Sequence, residues 1–148
     1  MATRDEYVQM SGRVYSRTRP NSMFVPDGWT EQIWLRDTAI TGFAAGVYRS
    51  GNEIVIAFTG TNASKLADTL FANIPAWLGI SSPQVAQAAA LVMDVMHANP
   101  GAEISFTGHS LGGGLASVMA VLFDKQASVF DPAPFERTVR NPARRGCP

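Results

Sequence analysis

Ile104-Ser105-Phe106-Thr107-Gly108-His109-Ser110-Leu111-Gly112-Gly113-Gly114-Leu115-Ala116 is the stretch on which the fold turns. Ile104 to Thr107 reads as a short strand. From Gly113 a run of small residues opens a helix able to approach a sheet closely. Between them Gly108, His109, Ser110, Leu111 and Gly112 spell G-x-S-x-G, which places a serine on a sharp strand-to-helix turn. Such a turn holds the serine backbone near the left-handed region. Glycines two before and two after it keep the neighbouring backbones from colliding. The hydroxyl then stands above the sheet edge, at a helix N-terminus whose dipole and free N–H groups favour developing negative charge. The N–H of Leu111 becomes a donor to an oxyanion. The structural alternative is a glycine-rich turn whose serine only caps the helix.

Working outward, Gly42 to Arg49 and Glu53 to Phe58 read as a β-hairpin, with Ser50-Gly51-Asn52 as the link and Gly51 able to supply a positive φ. The second arm, Ile54-Val55-Ile56-Ala57-Phe58, is continuously apolar, as a central strand covered on both faces should be. A mixed stretch spans Ser64 to Ile80. Ser81 or Ser82 can then cap a helix with Pro83 in its first turn. Val85, Ala88, Ala89, Val92, Met93 and Met96 form its apolar face. Asn99-Pro100-Gly101 stops it. Beyond the motif, Leu115 to Phe123 is an apolar helix and Ala127 to Phe130 a short strand. The order strand, strand, helix, strand, helix, strand argues for an α/β fold with parallel strands.

The N-terminal 40 residues read as a helix over Thr3 to Tyr15, with Tyr7, Met10 and Val14 on one face, then a polar loop marked by Pro20, Asn21, Pro26, Asp27 and Gly28. Trp29, Ile33, Trp34 and Leu35 form an apolar patch packing on the domain. Residues 41–135 are the α/β core and 136–148 a loose Arg/Pro-rich tail.

Composition narrows the function classes. The 148 residues are 46% hydrophobic, which excludes a disordered chain and allows a core. Twelve basic residues balance twelve acidic ones, so nucleic acid is a poor partner. No apolar run reaches the ~20 residues of a membrane span. The charged N-terminus shows no Sec-type signal, so residence is expected either in the cytoplasm or outside by a signal-independent route. Cys147 is the single cysteine. Together with two scattered histidines it makes no metal-ligand set, and no cofactor is expected.

The segment Ile104 to Ala116 resembles the nucleophile segment of class 3 lipases in the α/β-hydrolase superfamily. Ile54 to Asn62 resembles the strand and oxyanion loop of the same family. Val129-Phe130-Asp131-Pro132-Ala133-Pro134-Phe135 resembles the strand after the nucleophile helix. Asp68 falls where the family often braces its loop. The resemblance implies an α/β-hydrolase-like, mostly parallel sheet with flanking helices, and carboxylic-ester hydrolysis of an acyl lipid. It implies Ser110 as nucleophile, with Thr61 beside Leu111 in the oxyanion hole. The apolar side chains of Leu70, Phe71, Ile74, Trp77, Leu78 and Ile80 sit where the family carries lid or acyl-pocket residues, or are plain core.

The family triad runs serine, acid, histidine in chain order. Here the histidines are His97 and His109, and neither follows Ser110. His109 lies inside the elbow, where its side chain points away from that of the serine. His97 belongs to the end of the preceding helix, where it favours the last carbonyls. Asp131 is either a triad acid or a residue bracing its loop. The expectation is therefore the nucleophile half of a lipase-like domain, its sheet incomplete, with base and acid supplied from sequence absent here. An exposed sheet edge or apolar surface would then invite self-association. The competing reading is a truncated, non-catalytic pseudo-hydrolase that binds lipid or a partner protein.

Overall fold

The structure, a computed structural model, describes residues 1–16, 23–36, 42–59 and 83–131. Pro20, Asn21, Thr61, Asp68, the stretch from 64 to 80, Ser81, Ser82 and the tail from 136 lie outside them.

Helix α1, Arg4–Ser16, opens on a reciprocal cap. The Glu6 N–H donates to Thr3 Oγ1 at 3.3 Å, and the Thr3 N–H donates to the Glu6 carboxylate at 2.6 Å. Two otherwise orphaned amides are thereby satisfied. Its inward face is Tyr7, Met10, Ser11 and Val14, all buried.

The remaining elements are β1 (Thr30–Arg36), β2 (Ala44–Ser50), β3 (Glu53–Thr59), α2 (Pro83–Ala98), β4 (Glu103–His109), α3 (Leu111–Phe123) and β5 (Gln126–Phe130). The strands form one mixed sheet in the order β1-β2-β3-β4-β5. The β1–β2 and β2–β3 pairs are antiparallel, while β3, β4 and β5 are mutually parallel. This is the α/β sheet with flanking helices that the alternation of elements implies, with its parallel half at β3–β5.

The hairpin β2–β3 closes at Gly51, whose φ of 57° is the left-handed value a two-residue turn requires. In β3 the period-2 geometry sends alternate side chains to opposite faces. Ile54, Ile56 and Phe58 join Ile104, Phe106, Leu115 and Met119 under α2 and α3. Val55 and Ala57 join Tyr7, Met10, Val14 and Tyr48 under α1. Both faces of the sheet are covered, which is why β3 carries no polar residue between Glu53 and Thr59.

Two expectations change. Residues 30–36 are not part of a polar loop or a packed apolar patch: they form edge strand β1, with Ile33 39% and Leu35 43% exposed. Of the four expected patch residues only Trp29 joins the cluster under α1, and Trp34 is half-buried. A register shift between Glu31 and Ile33 and the charges at Glu31 and Arg36 blunt this edge. The second change is in α2. Its buried face is Gln84, Val85, Ala88, Leu91, Val92 and Val95, while Met93 is 57% exposed. Val85, Ala88, Val92 and Val95 keep the helical spacing, and Met93 falls one position off it.

Candidate active site

Strand β4 ends at His109 and α3 begins at Leu111, so Ser110 alone makes the turn between them. Its backbone sits at φ 53° and ψ −120°. A non-glycine residue held there costs on the order of 1–3 kcal/mol and persists only where its surroundings over-determine it.

Those surroundings begin with two glycines. A Cβ on Gly108 would fall 2.3 Å from the carbonyl carbon of Gly112 and 2.7 Å from the nitrogen of Gly113. A Cβ on Gly112 would fall 2.1 Å from the carbonyl oxygen of Phe58 and 3.1 Å from the Cα of Thr59. The first turn of α3 therefore rests directly on the carboxyl end of β3. Hydrogen bonds complete the hold. The Ser110 N–H donates to Phe130 O at 3.0 Å, and the Gly114 N–H donates to Ser110 O at 3.0 Å. The Tyr15 hydroxyl donates to His109 O at 2.7 Å.

The Ser110 side chain makes no capping bond to α3, and the residue is half-buried. The amides of Leu111, Gly112 and Gly113 have no carbonyl one turn back within the helix. No acidic residue stands in the first turn of α3 to neutralise its dipole. A hydroxyl beside such amides is suited to chemistry in which negative charge develops on a neighbouring oxygen. The turn also lies at the carboxyl ends of the parallel strands, where open α/β sheets bind their ligands. A cleft lined by Tyr7, Glu103, Ser105, Asp124, Lys125 and Gln126 is instead at the amino ends of β4 and β5. It is remote from this chemistry.

Asp131 follows Phe130, the residue whose carbonyl receives the Ser110 N–H. It is exposed, at φ 45°. The backbone carrying it therefore abuts the elbow. Thr61 lies outside the described residues, two positions past the last residue of β3.

His109 is exposed, and its ring meets that of Tyr15 edge-on, with centroids 6.2 Å apart and planes at 83°. His97 is exposed at the end of α2, which leads to the amino end of β4. The length of β4, ~20 Å at 3.3 Å per residue, separates that end from Ser110. Neither imidazole is assembled with the serine. Among the described residues no three His, Cys, Asp or Glu side chains converge as a metal site would require. The role of Tyr15 was not foreseeable: it reaches the elbow from 94 positions away in sequence.

A family model described as "Phospholipase-like: Tle-like phospholipase domain" matches residues 6–146. An extracellular phospholipase A1 of Serratia liquefaciens is 37% identical over 93 residues, 63% of this chain and 28% of that protein. Among solved structures, the lipase of Rhizopus microsporus var. chinensis aligns with a TM-score of 0.58 at 20% identity, over 86% of this chain and 55% of the lipase. Lipase II of Rhizopus niveus aligns with a TM-score of 0.54 at 18% identity, over 85% and 59% respectively. At these identities the likeness to the fungal lipases is one of fold. The chain spans less than a third of the curated relative it matches and a little over half of each fungal lipase.

Proposed function

Because the chain belongs to the phospholipase-like family of Tle-like domains, and has the class 3 lipase type of α/β-hydrolase fold, we propose that it cleaves the carboxylic ester of a phospholipid or related acyl lipid through Ser110. The observation that carries this reading is the backbone of Ser110. It is held at φ 53° between two glycines that tolerate no side chain, at the N-terminus of a helix it does not cap.

In the first half-reaction Ser110 Oγ attacks the acyl carbonyl carbon, an Oγ–C bond forms, and the hydroxyl proton passes to a general base. The carbonyl oxygen becomes an oxyanion held by the N–H of Leu111 and by Thr61. Collapse breaks the ester C–O bond, and the base returns the proton to the departing alcohol. Water then hydrolyses the acyl-serine with the same base, releasing the fatty acid. Asp131 is the candidate acid, its backbone being adjacent to the elbow. The base is a histidine that this sequence does not contain, brought to Ser110 by a further segment or a partner. In its absence the oxyanion hole and substrate binding alone leave a small residual rate, roughly 10³–10⁴-fold over water in triad hydrolases stripped of their triad.

Release of fatty acid from phosphatidylcholine vesicles tests the reading, with Ser110→Ala as control. Slow release that disappears in Ser110→Ala supports it. Vesicle binding with no serine-dependent release would make the chain a lipid-binding relative without the chemistry.

A further inference from the structure

The peptide group joining His109 to Ser110 is gripped from both sides. Its carbonyl accepts the Tyr15 hydroxyl at 2.7 Å, from the last turn of α1. Its N–H donates to Phe130 O at 3.0 Å, from the end of β5. Torsion about the Ser110 N–Cα bond is measured against the plane of this peptide. With the next peptide held by the Gly114 N–H on Ser110 O at 3.0 Å, holding this plane keeps the backbone at the φ of 53°. The two bonds also reinforce one another, since a carbonyl that accepts a hydrogen bond makes the N–H of the same amide a better donor. The Tyr15 ring lies edge-on to the His109 imidazole, which fixes where the hydroxyl stands. We infer that Tyr15 is a positioning residue for Ser110: α1 is the outer jaw of a clamp that keeps the serine in its strained conformation. This rests on the assignment of Ser110 as nucleophile made above.

A second tyrosine supplies an internal control. Tyr7, on the same helix, bonds Ser105 Oγ on the same strand at 2.9 Å, away from the elbow. Tyr7→Phe and Tyr15→Phe each delete one hydroxyl from the α1–β4 interface and leave its ring. Only the second deletion touches the Ser110 peptide.

The test compares the wild-type chain, Tyr15→Phe, Tyr7→Phe and Ser110→Ala by two measurements. The first is native-state hydrogen exchange of the Ser110 amide. The second is the rate of labelling by a fluorophosphonate, separated into maximal rate and half-saturating concentration. Tyr15→Phe should speed exchange at Ser110 about fivefold or more, the factor a single net hydrogen bond is worth. It should lower the maximal labelling rate by a similar factor with the half-saturating concentration unchanged, and leave exchange at Phe106 as in wild type. Tyr7→Phe should leave both Ser110 readings alone. Wild-type exchange and labelling in Tyr15→Phe, or equal changes in the two variants, would overturn the clamp. A wild-type chain that is never labelled at Ser110 removes the nucleophile assignment instead, and the exchange measurement then still decides whether Tyr15 holds the turn.

Discussion

A Cβ at position 112 would stand 2.1 Å from the carbonyl oxygen of Phe58, so Gly112 and Phe58 meet backbone to backbone. This contact brings the first turn of α3 against the end of β3, and with it the Leu111 amide toward the strand that leads to Thr61. Neither atom belongs to a flexible side chain, so neither can move aside cheaply. Gly112→Ala should therefore cost about 3 kcal/mol or more in urea denaturation, beyond the usual range for an overpacked side chain. Gly51→Ala meets nothing within 4 Å and has only its φ of 57° to oppose it. It should cost about 1 kcal/mol. Equal losses at the two positions would show that the close approach is not what requires glycine at 112.

The strain at Ser110 has its own signature. Ala keeps the unfavourable backbone, whereas Gly reaches φ 53° freely. Ser110→Gly should be more stable than Ser110→Ala by about 1 kcal/mol, against the usual destabilising direction of an Ala-to-Gly change, with both variants inert toward fluorophosphonate. A glycine variant less stable than the alanine one would mean that the turn is relaxed.

Much of this could be read from residue types. The unbroken apolar run of β3 marks a strand covered twice, and Gly51 marks its hairpin. The two glycines around Ser110 state a steric requirement that the backbone contacts then display. β1 was illegible for a physical reason: as an edge strand with only Glu31 and Trp34 half-buried, Thr30–Arg36 has neither an alternating pattern nor a continuous apolar one. Met93 was drawn into the buried face of α2 by its hydrophobicity, though Leu91 and Val95 cover the core there. Tyr15 carried no local signal at all, because its hydroxyl bond to the elbow exists only once α1 lies across β4.

Arg13 and Glu31 tie α1 to edge strand β1. Their side chains are 13% and 11% exposed, and the guanidinium makes two bonds to the carboxylate, at 2.9 and 3.1 Å. The Tyr48 hydroxyl donates to the same carboxylate at 3.3 Å. Arg13→Ala strips a largely buried carboxylate of its cation and should cost about 3 kcal/mol. Arg13→Met with Glu31→Leu should recover most of that loss. Thermal and urea melts of the three proteins measure both numbers. A double variant as unstable as the single one would locate the loss in packing.

Glu6 makes stability depend on acid pH. The Thr3 N–H, the Trp29 indole N–H and the Thr3 hydroxyl hold its carboxyl below the ordinary value of 4.5, against the opposing effect of partial burial. The unfolded chain therefore binds the proton first as pH falls. The contribution of Glu6 is complete above the ordinary value, declines below it, and is gone once pH passes the lower folded-state value. The stability difference between wild type and Glu6→Gln should accordingly shrink on acidification from neutral pH, as followed by urea midpoints. A difference that is flat or grows toward acid would contradict the shift.

The histidine positions yield a rescue prediction. With His97 at the far end of the sheet and His109 turned onto Tyr15, free imidazole should serve as the base that the proposed reaction requires. Serine-dependent release of fatty acid should then rise with imidazole concentration. The dependence on pH should follow the neutral form of imidazole, increasing through about pH 7. A rate indifferent to imidazole would mean that another group already serves as base.

The most direct measurement is mass-spectrometric localisation of the adduct formed by a fluorophosphonate on the folded chain. A single adduct on Ser110, absent from Ser110→Ala and formed faster with added imidazole, is the expected result. An adduct on a different serine, or none on a chain shown to be folded, would contradict the assignment of Ser110 as the nucleophile.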